Sequence, residues 1–442
     1  MTNEAYAILS NWDTWGVFGA LTVVNLLVLL SRTRFGEGIG PTVQRWFRRL
    51  TGRPDLHGLD WRPLVVVGAL WFGGFSAYGI LSGQYGCQPG ILSDALGVMQ
   101  SGHAFWSGGD PFSNVPYCGG TLTVPYGLAA VLLDALGSLG GLAGICFVWG
   151  VVVLLVLPLT WSVGGADRRY VTVFVATSIL YVPLATSEFG GATNAIVPVT
   201  ILLTLYLVRS QSVLGSALGG FLSTARFPSL FPVLALNGAS PRRRTAAFLA
   251  GAAAFGAASA LCYAVWGSGF LDSVFLGEIG RRSYSLNFYG ILLFHNALPS
   301  SLPVELAQSG ATVALVIAVF FLVRSPVRAA AMTIVGVALV TPFLSFNFLI
   351  WLLPCALAGA RVRWWLWGVA TVGALDFNLG IIDWANGQGI IGPAEGLDVV
   401  VTALLVGMFL ELVREELAAR RAAGSSPAGG MGSDASPART TS

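Results

Sequence analysis

Apolar stretches of membrane-spanning length, separated by loops whose only basic residue is arginine, dominate this chain and leave it few ways to fold. Inside a bilayer the backbone has no water to bond, so an apolar segment that enters one must close its own hydrogen bonds as a helix or join a sealed barrel. A helix needs about 20 apolar residues, with about 17 as a lower limit. Apolar stretches lie near 14–31, 63–82, 142–163, 170–186, 194–208, 245–266, 305–323, 329–344, 348–360, 364–378 and 396–413. The weakly hydrophobic stretch 211–240 is broken by Arg226, Pro228 and Pro232. It is too long for one helix and reads as two short ones meeting near Arg226. The expectation is an all-α, polytopic integral membrane protein with about 11–13 transmembrane helices.

Composition enters as a check on that reading. Only 10% of the 442 residues are charged and 55% are hydrophobic, whereas a soluble domain carries about 25% charged residues. An aromatic content of 12% excludes a disordered chain. Five Cys and three His, widely scattered, exclude a structural zinc site. The first apolar stretch, Trp15 to Leu30, has no basic residue before it and no small-residue cleavage site after it, so we read it as a retained helix.

Arginine placement sets the topology. On the layout above, 21 of the 24 arginines fall on one face, and only Arg226, Arg281 and Arg282 on the other. Positive charge accumulates on the cytoplasmic side, which places the N-terminus outside and the C-terminus inside. The segment 122–137 would reverse every later loop if it crossed. It is short, with Pro125 near its start and Asp134 near its end, and reads as a juxtamembrane helix on the outer face. The expected division is an N-terminal helix and arginine-rich loop over 1–62, a membrane domain over 63–413, and a disordered cytoplasmic tail over 414–442. No internal repeat is visible, which weighs against a transporter built from repeated halves.

Two long outer loops hold most of the polar groups worth considering, and long loops are more often functional than decorative. Gly83 to Thr123 carries Asp94, His103 and Asp110 with no basic residue; Gly267 to Pro303 carries Asp272, Glu278, Arg281, Arg282, Tyr284, Asn287, Tyr289 and His295. No phosphate-binding glycine loop of the nucleotide-binding kind is present, and nothing points to nucleic acid.

The run Ser93-Asp94-Ala95-Leu96-Gly97-Val98-Met99, then Gly108-Gly109-Asp110-Pro111-Phe112 and Val124-Pro125-Tyr126, resembles the first outer loop of membrane-embedded GT-C glycosyltransferases. It is most similar to the polyprenyl-phosphate-mannose-dependent mannosyltransferases of glycosyltransferase family 87. Ala225-Arg226-Phe227-Pro228 sits where that family often has a Lys before Pro. Ser285-Leu286-Asn287 resembles its Asn-Gln-Ser-like motif. Thr341 to Asn347 followed by Trp351-Leu352-Leu353-Pro354 resembles its Ser-Pro-x-Ser-Trp-x-His segment and the helix after it. The family's His after Ser-Trp and its second Pro after Tyr-Pro are absent here.

The resemblance implies a GT-C fold over roughly 63–413 and an inverting transfer of sugar, mannose first, from a polyprenyl-phosphate donor to a lipid-linked or protein-linked glycan. Asp94 is the candidate general base, since one carboxylate suffices when the leaving group is a phosphate; its competing reading is a helix-start residue. Arg226, Arg281 and Arg282 are candidate holders of the donor phosphate, because the guanidinium fork suits phosphate oxygens. Snorkelling to the interface is the alternative for Arg226, and local ion pairing with Asp272 and Glu278 for the other two. Asp110, His103, Tyr284, Asn287 and Asn347 are candidate substrate contacts, although Asp110 before Pro111 is also a turn signature. Cys87 and Cys118 flank the first loop as a candidate disulfide, and Cys146, Cys262 and Cys355 read as apolar packing. No cofactor is expected, with a divalent metal at Asp94 and Asp110 left open and not obligatory. The partners are then the lipid-phosphate sugar, the acceptor glycan and membrane lipid. The rival class is a lipid or small-molecule transporter or flippase without transferase chemistry.

Overall fold

The structure is a computed structural model that describes residues 61–81, 93–113, 115–117, 120–122, 126–185, 193–208, 213–235, 241–276, 302–341, 344, 346–385 and 395–425. The helix expected at 14–31, the disulfide expected between Cys87 and Cys118, and the loop residues Arg281, Arg282, Tyr284 and Asn287 lie outside the described residues, as does the tail beyond 425; residues 414–425, expected to be disordered, instead continue the last helix, Glu395–Ser425.

Among the described residues the α-helices of six residues or more are, in chain order, α1 (Trp61–Leu81), α2 (Ser93–Trp106), α3 (Leu128–Ser138), α4 (Gly141–Val163), α5 (Arg168–Ala185), α6 (Ile196–Val208), α7 (Val213–Leu222), α8 (Leu230–Ala235), α9 (Pro241–Trp266), α10 (Leu302–Leu322), α11 (Pro326–Val340), α12 (Ala360–Ala385) and α13 (Glu395–Ser425). Four of them, α1, α4, α9 and α13, are long and apolar enough to cross a membrane, which marks the chain as a membrane protein. Large apolar side chains face outward along these and neighbouring helices, with Leu70, Phe147 and Phe321 each more than 70% exposed. Such a surface suits hydrocarbon and not water.

Two elements differ from an all-α expectation. In the first loop Val115–Tyr117 (β1) and Gly120–Leu122 (β2) form an antiparallel hairpin, pairing Val115 with Leu122, Pro116 with Thr121 and Tyr117 with Gly120. The stretch 348–360, expected to be an ordinary span, is a 3-10 helix from Phe346 to Leu357. Its 12 residues cover about 24 Å at the 3-10 rise, where α-helix would cover about 18 Å. That greater reach lets a short segment run through the centre of the bundle, where it packs against α5, α6, α11 and α12. From Phe348 to Ala356 the described side chains are buried.

Small residues let helices approach closely where there is no water to drive them together. On α7, Gly215, Ser216, Gly219 and Gly220 are buried, and a Cβ on Gly220 would stand 2.0 Å from the Gly251 carbonyl oxygen of α9. The short α3 is about 16 Å long, too short to cross, as expected for the segment after Pro125. Its Asp134 is wholly buried, accepts from the Trp149 indole at 3.0 Å and leaves Oδ2 without a partner among the described residues. Burial pushes the Asp134 carboxyl well above the usual carboxylate range, and the indole hydrogen bond recovers only part of that.

One end of the bundle is tied by ion pairs between connections. Glu416 of α13 accepts from Arg328 Nε at 2.7 Å and from the Arg324 amide at 3.0 Å. Arg361 reaches Glu411 at 3.9 Å, and Arg363 reaches Asp167 at 3.2 Å. The connections after α10 and after the 3-10 helix therefore meet α13, and Arg363 ties the start of α12 to the turn after α4.

Candidate functional site

The break between α7 and α8 presents a buried arginine. Prolines at 228 and 232 disfavour a continuous helix, and the chain instead makes a 3-10 turn at Ser223–Ala225, an extended residue at Arg226 (φ −152°, ψ 121°) and a second turn at Phe227–Ser229. Three hydroxyls satisfy the backbone groups this frees. Ser223 Oγ donates to the Gly219 carbonyl at 2.7 Å, and Ser229 Oγ donates to the Arg226 carbonyl at 2.6 Å. Thr224 Oγ1 donates to the Phe221 carbonyl at 2.7 Å and accepts from the Ala129 amide at 3.1 Å.

That last bond docks the start of α3 onto the turn, and the approach leaves no room for a side chain at Gly127. A Cβ there would stand 2.0 Å from the Thr224 carbonyl oxygen. Because the obstacle is backbone, no rotamer change relieves it, and overpacking of this kind costs about 1–3 kcal/mol or more. Gly127→Ala is expected to lower the thermal unfolding midpoint by several degrees. Gly73→Ala on α1, which meets nothing within 4 Å, is expected to hold or raise it, since alanine is the better helix former.

The Arg226 side chain is 5% exposed. Its Cζ lies 4.9 Å from the Tyr126 ring, 4.8 Å from Phe348 and 5.5 Å from Trp351. The 3-10 helix builds two of those walls: residues three apart are eclipsed at three residues per turn, and the Phe348 and Trp351 rings stack with centroids 4.5 Å apart at 12°. Tyr126 is held by a 3.2 Å contact of its hydroxyl with Thr193 Oγ1. Among the described residues Arg226 Nε and Nη1 are buried with no hydrogen-bond partner, and no carboxylate pairs with them. Nine residues of 3-10 helix, roughly 18 Å, separate Phe348 from Leu357, so the caged cation stands away from the ion-paired end.

Three rings can hold a guanidinium in place, but they offer nothing to its N–H groups. A buried cation is costly when it stays unpaired, and among the described residues no anion pairs with this one. Arginine's charge does not titrate away, and an oxyanion such as a phosphate or carboxylate is the kind of group that these donors could bond.

The other expected residues fall as follows. Asp94 stands in the first turn of α2 and Asn347 immediately precedes Phe348 in the 3-10 helix. His103 is exposed on α2. Asp110 is engaged in its own turn: Oδ1 accepts from the Phe112 amide at 2.9 Å, Oδ2 accepts from the Ser113 hydroxyl, and a Cβ on Gly269 would collide with that oxygen. The turn docks on the end of α9, where the Trp266 indole donates to the Gly109 carbonyl at 3.0 Å. Tyr126 and Trp351 enter the sequence reading only as motif members, not as site residues; the i, i+3 spacing of Phe348 and Trp351 is the signal that marks the second of them. Comparison of the chain with protein-family models, curated proteins and solved structures gave no match.

Proposed function

We propose that the protein is a GT-C-type membrane glycosyltransferase that moves a sugar, mannose first, from a polyprenyl-phosphate donor to a lipid-linked or protein-linked glycan on the outer face. The observation that carries this reading is the caged Arg226, a buried cation with unsatisfied donors in apolar surroundings, which fits the phosphate of a lipid donor better than it fits a structural role. In the proposed reaction Asp94 takes the proton of the acceptor hydroxyl as its oxygen attacks the anomeric carbon. The bond from that carbon to the phosphate oxygen breaks, the configuration inverts, and polyprenyl phosphate leaves with the extra negative charge. Arg226 stabilises that charge in a dry site, where one fixed donor contributes most, and Arg281 and Arg282 are the proposed second contacts from the later loop. The packing of α2 on α3, whose start borders the Arg226 turn, supports a shared site.

The test is transfer of labelled mannose from polyprenyl-phosphate mannose to endogenous lipid extract by the purified protein in liposomes. Labelled product is the expected result. Labelled donor that changes leaflet without any product would replace the enzyme reading with a transporter.

A further inference from the structure

Three indole N–H groups of this fold have protein acceptors. Trp149 donates to Asp134, Trp266 to the Gly109 carbonyl and Trp106 to the Ala135 carbonyl at 2.7 Å. Trp351 differs from them: it is 1% exposed and its Nε1 is buried with no hydrogen-bond partner among the described residues. A buried indole N–H is normally bonded, and one that is not needs an explanation. Its ring stacks on Phe348 and stands 5.5 Å from Arg226 Cζ, so the orphaned indole belongs to a ring that walls the orphaned guanidinium.

We infer that the Trp351 indole N–H is the second hydrogen-bond donor of the Arg226 site, and that the two together hold one tetrahedral oxyanion, the phosphate head of a lipid. The inference rests on the donor-phosphate reading of Arg226 and adds a residue to it. Arg226 Nε, Arg226 Nη1 and Trp351 Nε1 are all donors, so the ligand is an acceptor on every side that faces them. A planar carboxylate paired with a guanidinium edge has both oxygens in one plane. A phosphate carries further oxygens out of that plane, and one of these is available to the indole. The walls are Tyr126, Phe348 and Trp351, which favours a phosphate that arrives on a hydrocarbon chain over one that arrives hydrated.

The test is equilibrium binding of radiolabelled farnesyl phosphate to the full chain in nanodiscs, with farnesol and inorganic phosphate as comparators. Trp351→Phe keeps a ring for the stack and removes only the N–H. It is expected to weaken farnesyl phosphate about tenfold, the effect of one charge-assisted hydrogen bond, and to leave farnesol unchanged. Arg226→Gln is expected to abolish the preference for farnesyl phosphate over farnesol. If Trp351→Phe binds as the wild type does while Arg226→Gln does not, the role of Trp351 is overturned and the Arg226 reading survives. If Arg226→Gln also binds as the wild type does, the phosphate site itself is overturned. Inorganic phosphate bound as tightly as farnesyl phosphate overturns the lipid assignment. A readout without mutation guards against misfolding: in 15N-tryptophan-labelled wild type one indole N–H resonance is expected to shift with farnesyl phosphate and not with farnesol, and no shift counts against the inference.

Discussion

Arg226→Met is expected to abolish sugar transfer and, in the same protein, to raise the thermal unfolding midpoint of the ligand-free state. The two effects have one cause. Arg226 is a cation held at 5% exposure, with Nε and Nη1 unpartnered among the described residues, and the effective penalty for burying an ion is several kcal/mol. Cation–π contact returns about 2 kcal/mol when desolvated, which leaves a deficit in the absence of ligand. Methionine fills a similar volume, packs well against aromatic rings and carries no such penalty. Loss of the cation that meets the departing phosphate is expected to lower the rate by about 10²–10³, the scale for removing one preorganised donor. An arginine kept for stability behaves in the opposite way: Arg328, which bonds Glu416 at 2.7 Å, would lose stability on the same change. Differential scanning fluorimetry beside the transfer assay separates the cases. A lower midpoint for Arg226→Met would make the residue part of the scaffold and remove the main support for a donor site.

Local signals made part of this legible from the sequence. The α4 span matches its apolar run closely, 142–163 against Gly141–Val163. The break at Arg226 was readable because two prolines and a charge interrupt one apolar stretch, and each acts within a few residues of itself. The 3-10 helix was not readable, because hydrophobic length carries no information about helix pitch. Strands of three residues, as in the β1–β2 hairpin, leave no period to detect. The cage was hidden for another reason: Tyr126, Arg226 and Phe348 lie about a hundred residues apart along the chain, and only tertiary packing brings them together. Asp134 was read as the polar end of a surface helix, whereas the structure buries it against Trp149.

Asp94→Asn is expected to cut transfer by about 10²–10⁴, the range for a lost general base, with the affinity for farnesyl phosphate and the unfolding midpoint close to wild type. Asp94 stands in the first turn of α2, where a carboxylate also interacts with the helix dipole for about 0.3–1 kcal/mol. That structural share is small against a hundredfold rate loss, and the amide keeps the size and a hydrogen-bonding capacity. The rest of α2 is anchored without Asp94: Ala95 and Val98 enter the core, Ser101 Oγ donates to the Pro111 carbonyl at 2.9 Å, and the Trp106 indole bonds the Ala135 carbonyl. The helix therefore holds its place in the variant, and a lost rate is attributable to the missing proton acceptor. The pairing with Arg226 sharpens the assignment. A phosphate-holding residue is expected to move donor affinity and rate together, whereas a base moves the rate alone. Transfer that persists in Asp94→Asn while it disappears in Arg226→Met keeps the donor site and places the base on another carboxylate.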